Sequence, residues 1–195
     1  MKFLGLIPVF LIFTLALGAP HKRQAESPEY VLWLINSIRE AHGVNTLLWN
    51  TDLERAGLTR AERCLEKIPY PPRVLSMFTK GSSSWKEMIT KLYSLGLSKY
   101  DFSNPKLQSS DSIIMVLLAP RHKSVGCAAA NCNGTSLHYC LFEHEVAYQS
   151  AEEFVNDIKA NVRPANATLT IDSITPNSVL TNLSSPQFYN AYISF

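Results

Sequence analysis

The sequence is short of charge: 17% of its 195 residues are Asp, Glu, Lys or Arg, and these balance to a formal +2. Near neutrality with scattered cations leaves no electrostatic footprint for nucleic acid. After the first residues no stretch is apolar enough to act as a membrane anchor. No serine sits in a Gly-x-Ser-x-Gly elbow, and neither a phosphate loop nor a dinucleotide fingerprint occurs. Internal repeats are missing too. What remains is a chain long enough for one domain with a real core.

Residues 1–18 read as an export signal. Lys2 gives the positive start, Phe3 to Leu17 is an apolar run too short to span a bilayer, and Ala16 and Gly18 are the small residues that favour cleavage after Gly18. In the short segment 19–28, Lys22-Arg23 reads as a solvated pair, with dibasic processing as the alternative. Export implies a secreted, extracellular protein in which an even cysteine count forms two disulfides. It also makes three glycosylation sequons credible, at Asn133, Asn166 and Asn182.

The stretch 123–143 organises the rest, since it holds Cys127, Cys132 and Cys140. Asn133-Gly134 is a hairpin signal, because both residues accept the positive φ of a tight reversal. Val125 to Ala129 is small and apolar, while Leu137, Tyr139 and Leu141 alternate with His138, Cys140 and Phe142, so both faces of the second strand can be buried. Small residues opposite large ones predict close packing against something above them. Three cysteines cannot all pair with one another, so the hairpin reaches back to Cys64 or keeps an odd thiol.

In chain order, Ser27-Pro28-Glu29 opens a helix that Gly43 closes, with Val31, Leu34, Ile35 and Ile38 on its buried stripe and Arg39 and Glu40 off it. His42 at its end reads as a dipole partner or packing residue. Thr51-Asp52-Leu53-Glu54 is a capping box for a second helix to about Cys64, whose stripe of Leu53, Ala56, Gly57, Ala61 and Cys64 is mostly small. Residues 68–84 read as loop. Ser84 caps a third helix along Trp85, Met88, Ile89, Leu92 and Tyr93, ending or weakening at Gly96. Ile113 to Ala119 reads as a strand buried on both faces, stopped by Pro120, which completes an antiparallel meander with the hairpin. Ser150 caps a fourth helix with Phe154, Val155, Ile158 and Val162 as its apolar side; in the tail, Leu169 and Ile171 alternate briefly and 189–195 reads as an edge strand.

Three stretches together resemble the CAP superfamily of cysteine-rich secretory, venom allergen-like and plant pathogenesis-related proteins. His42-Gly43-Val44-Asn45-Thr46-Leu47-Leu48-Trp49-Asn50, with Leu53, Ala56 and Cys64, is similar to that family's entry into its second helix. Ser84-Trp85 through Tyr100-Asp101-Phe102 and on to Pro105 matches its third helix and following turn, and Val125-Gly126-Cys127 its late hairpin. The resemblance implies an α+β fold, a three-layer α-β-α sandwich around a small antiparallel sheet, over residues 29–148; the helix and Ser/Thr/Asn-rich tail at 149–195 lie outside it. It implies disulfides Cys64 to Cys132 and Cys127 to Cys140.

Family members share a polar cleft of two histidines and two acids that in some members holds a divalent metal, a ligand set suited to zinc. Here those positions are replaced. Ile113 stands where the late histidine is expected, Arg73-Val74-Leu75-Ser76 where a Gly-Glu-Asn-Leu type motif belongs, and Tyr93-Ser94-Leu95-Gly96 where the second acid is expected. The expectation is therefore no catalytic residue, no metal and no cofactor. Val74, Leu75 and Ile113 make the former cleft apolar, either as a site for a sterol or fatty acid or as plain core. An extracellular protein is the other expected partner. The competing class is a hydrolase with a relocated site, for which His122, His138, His144 and Glu143 are the candidates. Against it, Arg121-His122-Lys123 reads as an exposed turn, Glu143-His144-Glu145 as a solvated strand end, and His138 as a satisfied sheet residue.

Overall fold

The computed structural model describes residues 27–65, 73–98, 100–106, 112–164 and 189–192. The export signal, Lys22-Arg23, Leu169, Ile171, Asn166 and Asn182 lie outside the described residues. In chain order the elements are α1 (Pro28–Ala41), β1 (Leu48–Trp49), α2 (Thr51–Glu62), β2 (Val74–Lys80), α3 (Trp85–Leu97), α4 (Ser112–Leu118), β3 (His122–Cys132), β4 (Thr135–His144), α5 (Ala151–Asn161) and β5 (Tyr189–Tyr192). The strands form one sheet in the order β1-β3-β4-β2-β5, antiparallel except for the β1–β3 pair.

Alternation along the strands divides the sheet into two faces. Leu75, Met77, Val125, Cys127, Cys140 and Phe142 point into the larger core, which α1, α3, α4 and α5 fill. Phe78, Leu137, Tyr139 and Leu141 point the other way, towards α2. This is the three-layer α-β-α sandwich. The helix at 151–161 belongs to the main core, where Phe154 and Ile158 are buried.

Local signals explain most of the elements. Ser27, Ser84 and Ser150 each cap a helix by accepting an amide three residues on. The cap of α2 is Asn50 rather than Thr51: its Oδ1 takes the amides of Asp52 at 2.9 Å and Leu53 at 3.3 Å. Glu54, expected to close the capping box, instead accepts from Trp49 Nε1 at 2.9 Å. At the hairpin, Asn133 and Gly134 both have positive φ, 51° and 82°.

Two segments differ from the sequence reading. Residues 74–80, read as loop, are the strand β2, paired on one side with β4 and on the other with β5. Being buried on both faces, it shows no alternation, and its polar Ser76 and Thr79 are as buried as its Leu and Met. The run Ile113 to Ala119, read as a strand, falls almost wholly in the helix α4. A fully apolar run looks the same at either period, and here every residue from Ile113 to Ala119 is buried, so the pattern carried no choice. Arg39 is a third difference. Expected off the buried stripe, it is fully buried, because the end of α4 leaves carbonyls without helical partners and its guanidinium takes them: Leu117 O at 2.8 Å and Ala119 O at 3.2 Å, with Asn45 O at 2.8 Å.

Close approach sets the α3–α4 contact. A Cβ on Gly96 would stand 2.1 Å from Ile114 Cγ1. Gly96→Ala is expected to lose about 2 kcal/mol, and combining it with Ile114→Ala to recover part of that loss, giving a coupling of about 1 kcal/mol or more in urea unfolding. Independent, additive losses would show that the two helices do not meet there.

Candidate functional site

The apolar positions of the expected cleft do not converge on one opening. Leu75 and Ile113 are each 2% exposed and lie in the larger core, while Val74, one residue from Leu75 along β2, faces the α2 side. Neither the cavity at Leu48 and Glu143 nor the one at Leu58 and Cys127 has any of the three in its wall. Leu75 and Ile113 are buried side chains of the larger core, and Val74 is half-buried.

The four side chains of the relocated-site reading fall in three places. Glu143 lies on the α2 face, where its Oε2 accepts from Ser124 Oγ at 3.0 Å and Asn50 Nδ2 at 3.4 Å, and Lys123 Nζ is 3.6 Å from its other oxygen. It thereby ties β4 to the start of α2. His138 is buried against the edge of Trp85, ring centroids 4.7 Å apart, with Ser136 Oγ 3.3 Å from its Nδ1. Desolvation lowers its pKa to about 4.

His122 and His144 correct the reading of both as exposed ends, being 3% and 1% exposed. They sit opposite each other in the β3–β4 ladder and stack with centroids 4.3 Å apart and planes 2° from parallel. His122 Nε2 meets Val116 O at 2.7 Å, but its Nδ1 and both nitrogens of His144 have no hydrogen-bond partner. Tyr148 closes over His144, donates to Asp157 Oδ2 at 2.6 Å and carries Arg121 on its ring face. Arg121 in turn pairs with Glu153 at 2.6 Å. Burial, the neighbouring His144 and Arg39 hold His122 well below the ordinary histidine range; burial, Arg121 and Arg39 bring His144 to about 4. Both imidazoles are held neutral and buried, with Tyr148 against His144. Among the described residues no three His, Cys, Asp or Glu side chains are grouped to hold a metal ion.

His42 is a satisfied core residue. Its ring nitrogens meet Arg163 O at 2.6 Å and Tyr93 Oη at 2.8 Å, and it stacks on Phe102. Burial lowers its pKa. Two disulfides join Cys64 to Cys132 and Cys127 to Cys140. The first links the end of α2 to the hairpin tip, and the second crosses the hairpin. Asn133 stands exposed in the tip itself.

The open features lie elsewhere, around Trp49. A cavity of about 460 Å³ runs at the edge of β3, between Pro28 and Val31 of α1 on one bank and Glu54 and Leu58 of α2 on the other, with Cys127 to Ala129 as its floor. Leu58 in its wall is 38% exposed, Leu48 in the wall of a neighbouring cavity that shares Trp49 is 74% exposed, and Trp33 on α1 is 55% exposed. Trp33 stands one turn before Asn36, whose side chain grips both the amide and the carbonyl of Leu47, so the helix face carrying Trp33 meets the strand carrying Leu48. Sequence reasoning missed this surface, though Trp33 was visible as an aromatic off the α1 stripe.

A disulfide-stapled α-β-α sandwich whose open apolar features lie at a sheet edge is the class that the fold defines. Residues 32–143 match the family model described as CAP: Cysteine-rich secretory protein family, and the chain belongs to that family. Among solved structures it is similar to a hookworm platelet inhibitor, at 18% identity and a TM-score of 0.52, covering 65% of this chain and 75% of that one. It is similar also to the Schistosoma mansoni venom allergen-like protein 4, at 12% identity and a TM-score of 0.53, covering 60% and 86%. No curated protein sequence matches the chain. No helix among the described residues is long and apolar enough to cross a membrane.

Proposed function

We propose that this is a secreted, glycosylated, non-enzymatic CAP-domain protein that acts by binding an extracellular protein. The observation that carries the reading is the exposure of the large apolar side chains Trp33, Leu48 and Leu58, with Leu58 in the wall of the groove at Trp49 and Leu48 in the cavity on the other side of Trp49. Exposed tryptophan and leucine are what a protein interface uses as anchors. The burial of Leu75 and Ile113, two of the three positions that could have made a lipid cleft, supports a protein over a sterol or fatty acid. The same fold serves as a platelet inhibitor in hookworm, a use that fits recognition of a partner.

The test is a panel of purified extracellular proteins and receptor ectodomains, probed with the secreted, disulfide-intact chain and with Trp33→Ser/Leu48→Ser. Saturable binding to a member of the panel, weakened at least tenfold in the variant at unchanged stability, is the expected result. Hydrolysis of a peptide or ester panel, a stoichiometric bound metal, or saturable palmitate or cholesterol binding with no protein bound would overturn the reading.

A further inference from the structure

The floor of the groove is an unpaired strand edge. β3 runs from His122 to Cys132, but β1 pairs with it only at Leu48↔Ser124 and Trp49↔Val125, after which the chain turns away at Asn50 to start α2. Beyond Val125, β3 has β4 on one side and no strand on the other among the described residues. The direction of its peptide groups follows from the disulfide. Cys127 and Cys140 are opposite one another with Cα atoms 4.1 Å apart, the short spacing of a pair that does not exchange hydrogen bonds. The N–H and C=O of Cys127 therefore point away from β4, into the groove, and by alternation so do those of Ala129. Val125 confirms the direction, since its carbonyl takes the amide of Asn50 at 2.8 Å on that side.

We propose that this groove takes an extended peptide of a protein partner as an added strand, paired with Cys127 and Ala129 in line with β1, with a Lys or Arg of the peptide at Glu54. The inference deepens the protein-binding reading above and rests on it. A row of alternating donors and acceptors matches another peptide backbone and gives an acyl chain nothing to bond. The banks of α1 and α2 stand on either side of the edge, so a single strand fits where the edge of a second sheet does not. Charge specifies the partner further. Glu54 lines the groove, and the one hydrogen bond of its carboxylate among the described residues is from Trp49 Nε1, with no cation paired to it there. Apolar side chains flanking the basic one would rest on Leu58 and Trp49.

The probe is a library of acetylated octapeptides with Lys fixed at the centre and alternating Val and Thr around it, beside a Glu-centred library and a Lys library N-methylated at the pairing amides. The protein is the full secreted chain. Saturable binding of the Lys peptides is expected, at least tenfold weaker for the Glu and N-methylated sets, with the Cys127 and Ala129 amides exchanging freely alone and protected by peptide. Ala129→Pro removes an N–H that faces the groove rather than the β4 ladder, a placement strands tolerate, and should abolish binding; Glu54→Gln should remove the preference for Lys. Equal binding of the N-methylated set, or no saturable binding of any peptide, would overturn strand addition. Protection of both amides in the isolated chain would also overturn it, because the chain's own residues would then already cover the edge. Panel binding that is lost in Trp33→Ser/Leu48→Ser but unchanged in Ala129→Pro would sink strand addition while leaving the protein-binding reading intact.

Discussion

Between pH 6.5 and 4.5 the folded protein is expected to lose roughly 4 kcal/mol of stability through its buried histidines. His138 and His144 each have a folded pKa of about 4, below the ordinary value near 6.5. As pH falls, the unfolded chain takes up protons first, so the stability present above pH 6.5 drains away towards pH 4. One proton per histidine gives about 1.4 kcal/mol per pH unit, or roughly 2 kcal/mol each by pH 4.5. His122 adds to the loss in the same direction. The groups around the stacked pair reinforce the sign: Arg39 from α1 and Arg121 from the turn before β3 disfavour a second cation, and the carboxylates of Glu153 and Asp157 are already engaged with Arg121. Against a domain stability of about 5–15 kcal/mol the loss is large. Urea midpoints at pH 7.0, 5.5 and 4.5 read it directly. His122→Phe/His144→Phe keeps the stacked shape without the three unpartnered nitrogens and should remove at least half of the loss, leaving the roughly 2 kcal/mol that His138 contributes. An unchanged slope in that variant would show that the pair is not what titrates.

The same pair shows where sequence reasoning stopped. Arg121-His122-Lys123 and Glu143-His144-Glu145 look solvated because each histidine is flanked by charges. Strand alternation turns Glu143 out towards the start of α2 and His144 in beneath Tyr148. The Asn133-Gly134 turn held the missing signal, since counting outward from it along both strands brings the two histidines opposite, allowing for the one-residue irregularity between His122 and Ser124. Helices announced by a serine cap were legible at once, at Ser27, Ser84 and Ser150. Elements without polar alternation were not: β2 and α4 are buried all round, and burial erases the periodicity that would have told strand from helix. The groove at the β3 edge was illegible for another reason. It depends on β1 being two residues long, and Leu48-Trp49 says nothing of its own about where pairing ends.

Three glycines separate the physical reasons for having one, and Gly126 carries the largest expected effect. A Cβ there would lie 2.2 Å from Glu54 N, 2.5 Å from Asn50 O and 2.7 Å from Leu53 C, all backbone of the first turn of α2. Nothing in that list can rotate aside, so Gly126→Ala must lift α2 off β3, at about 3 kcal/mol. Gly57→Ala, on the opposing helix, meets Ala128 and Tyr139 only at 3.8 Å; it should be neutral or stabilise by up to about 1 kcal/mol, as alanine favours helix. Gly134→Ala has open space around it but a φ of +82°, and should cost about 1 kcal/mol through backbone strain alone. Urea unfolding of the three variants gives the order, with Gly126→Ala well below Gly134→Ala and Gly57→Ala at or above the parent. The consequence reaches the groove, because Glu54 and Leu58 form one of its banks and move with α2. Gly126→Ala should therefore also change the accessibility of Cys127 and Ala129 to exchange, whereas Gly134→Ala, at the hairpin tip, should leave both amides as they were. If Gly126→Ala proved as mild as Gly134→Ala, α2 would not be held against β3 at that point, and the groove would lose the fixed width that restricts it to a single strand.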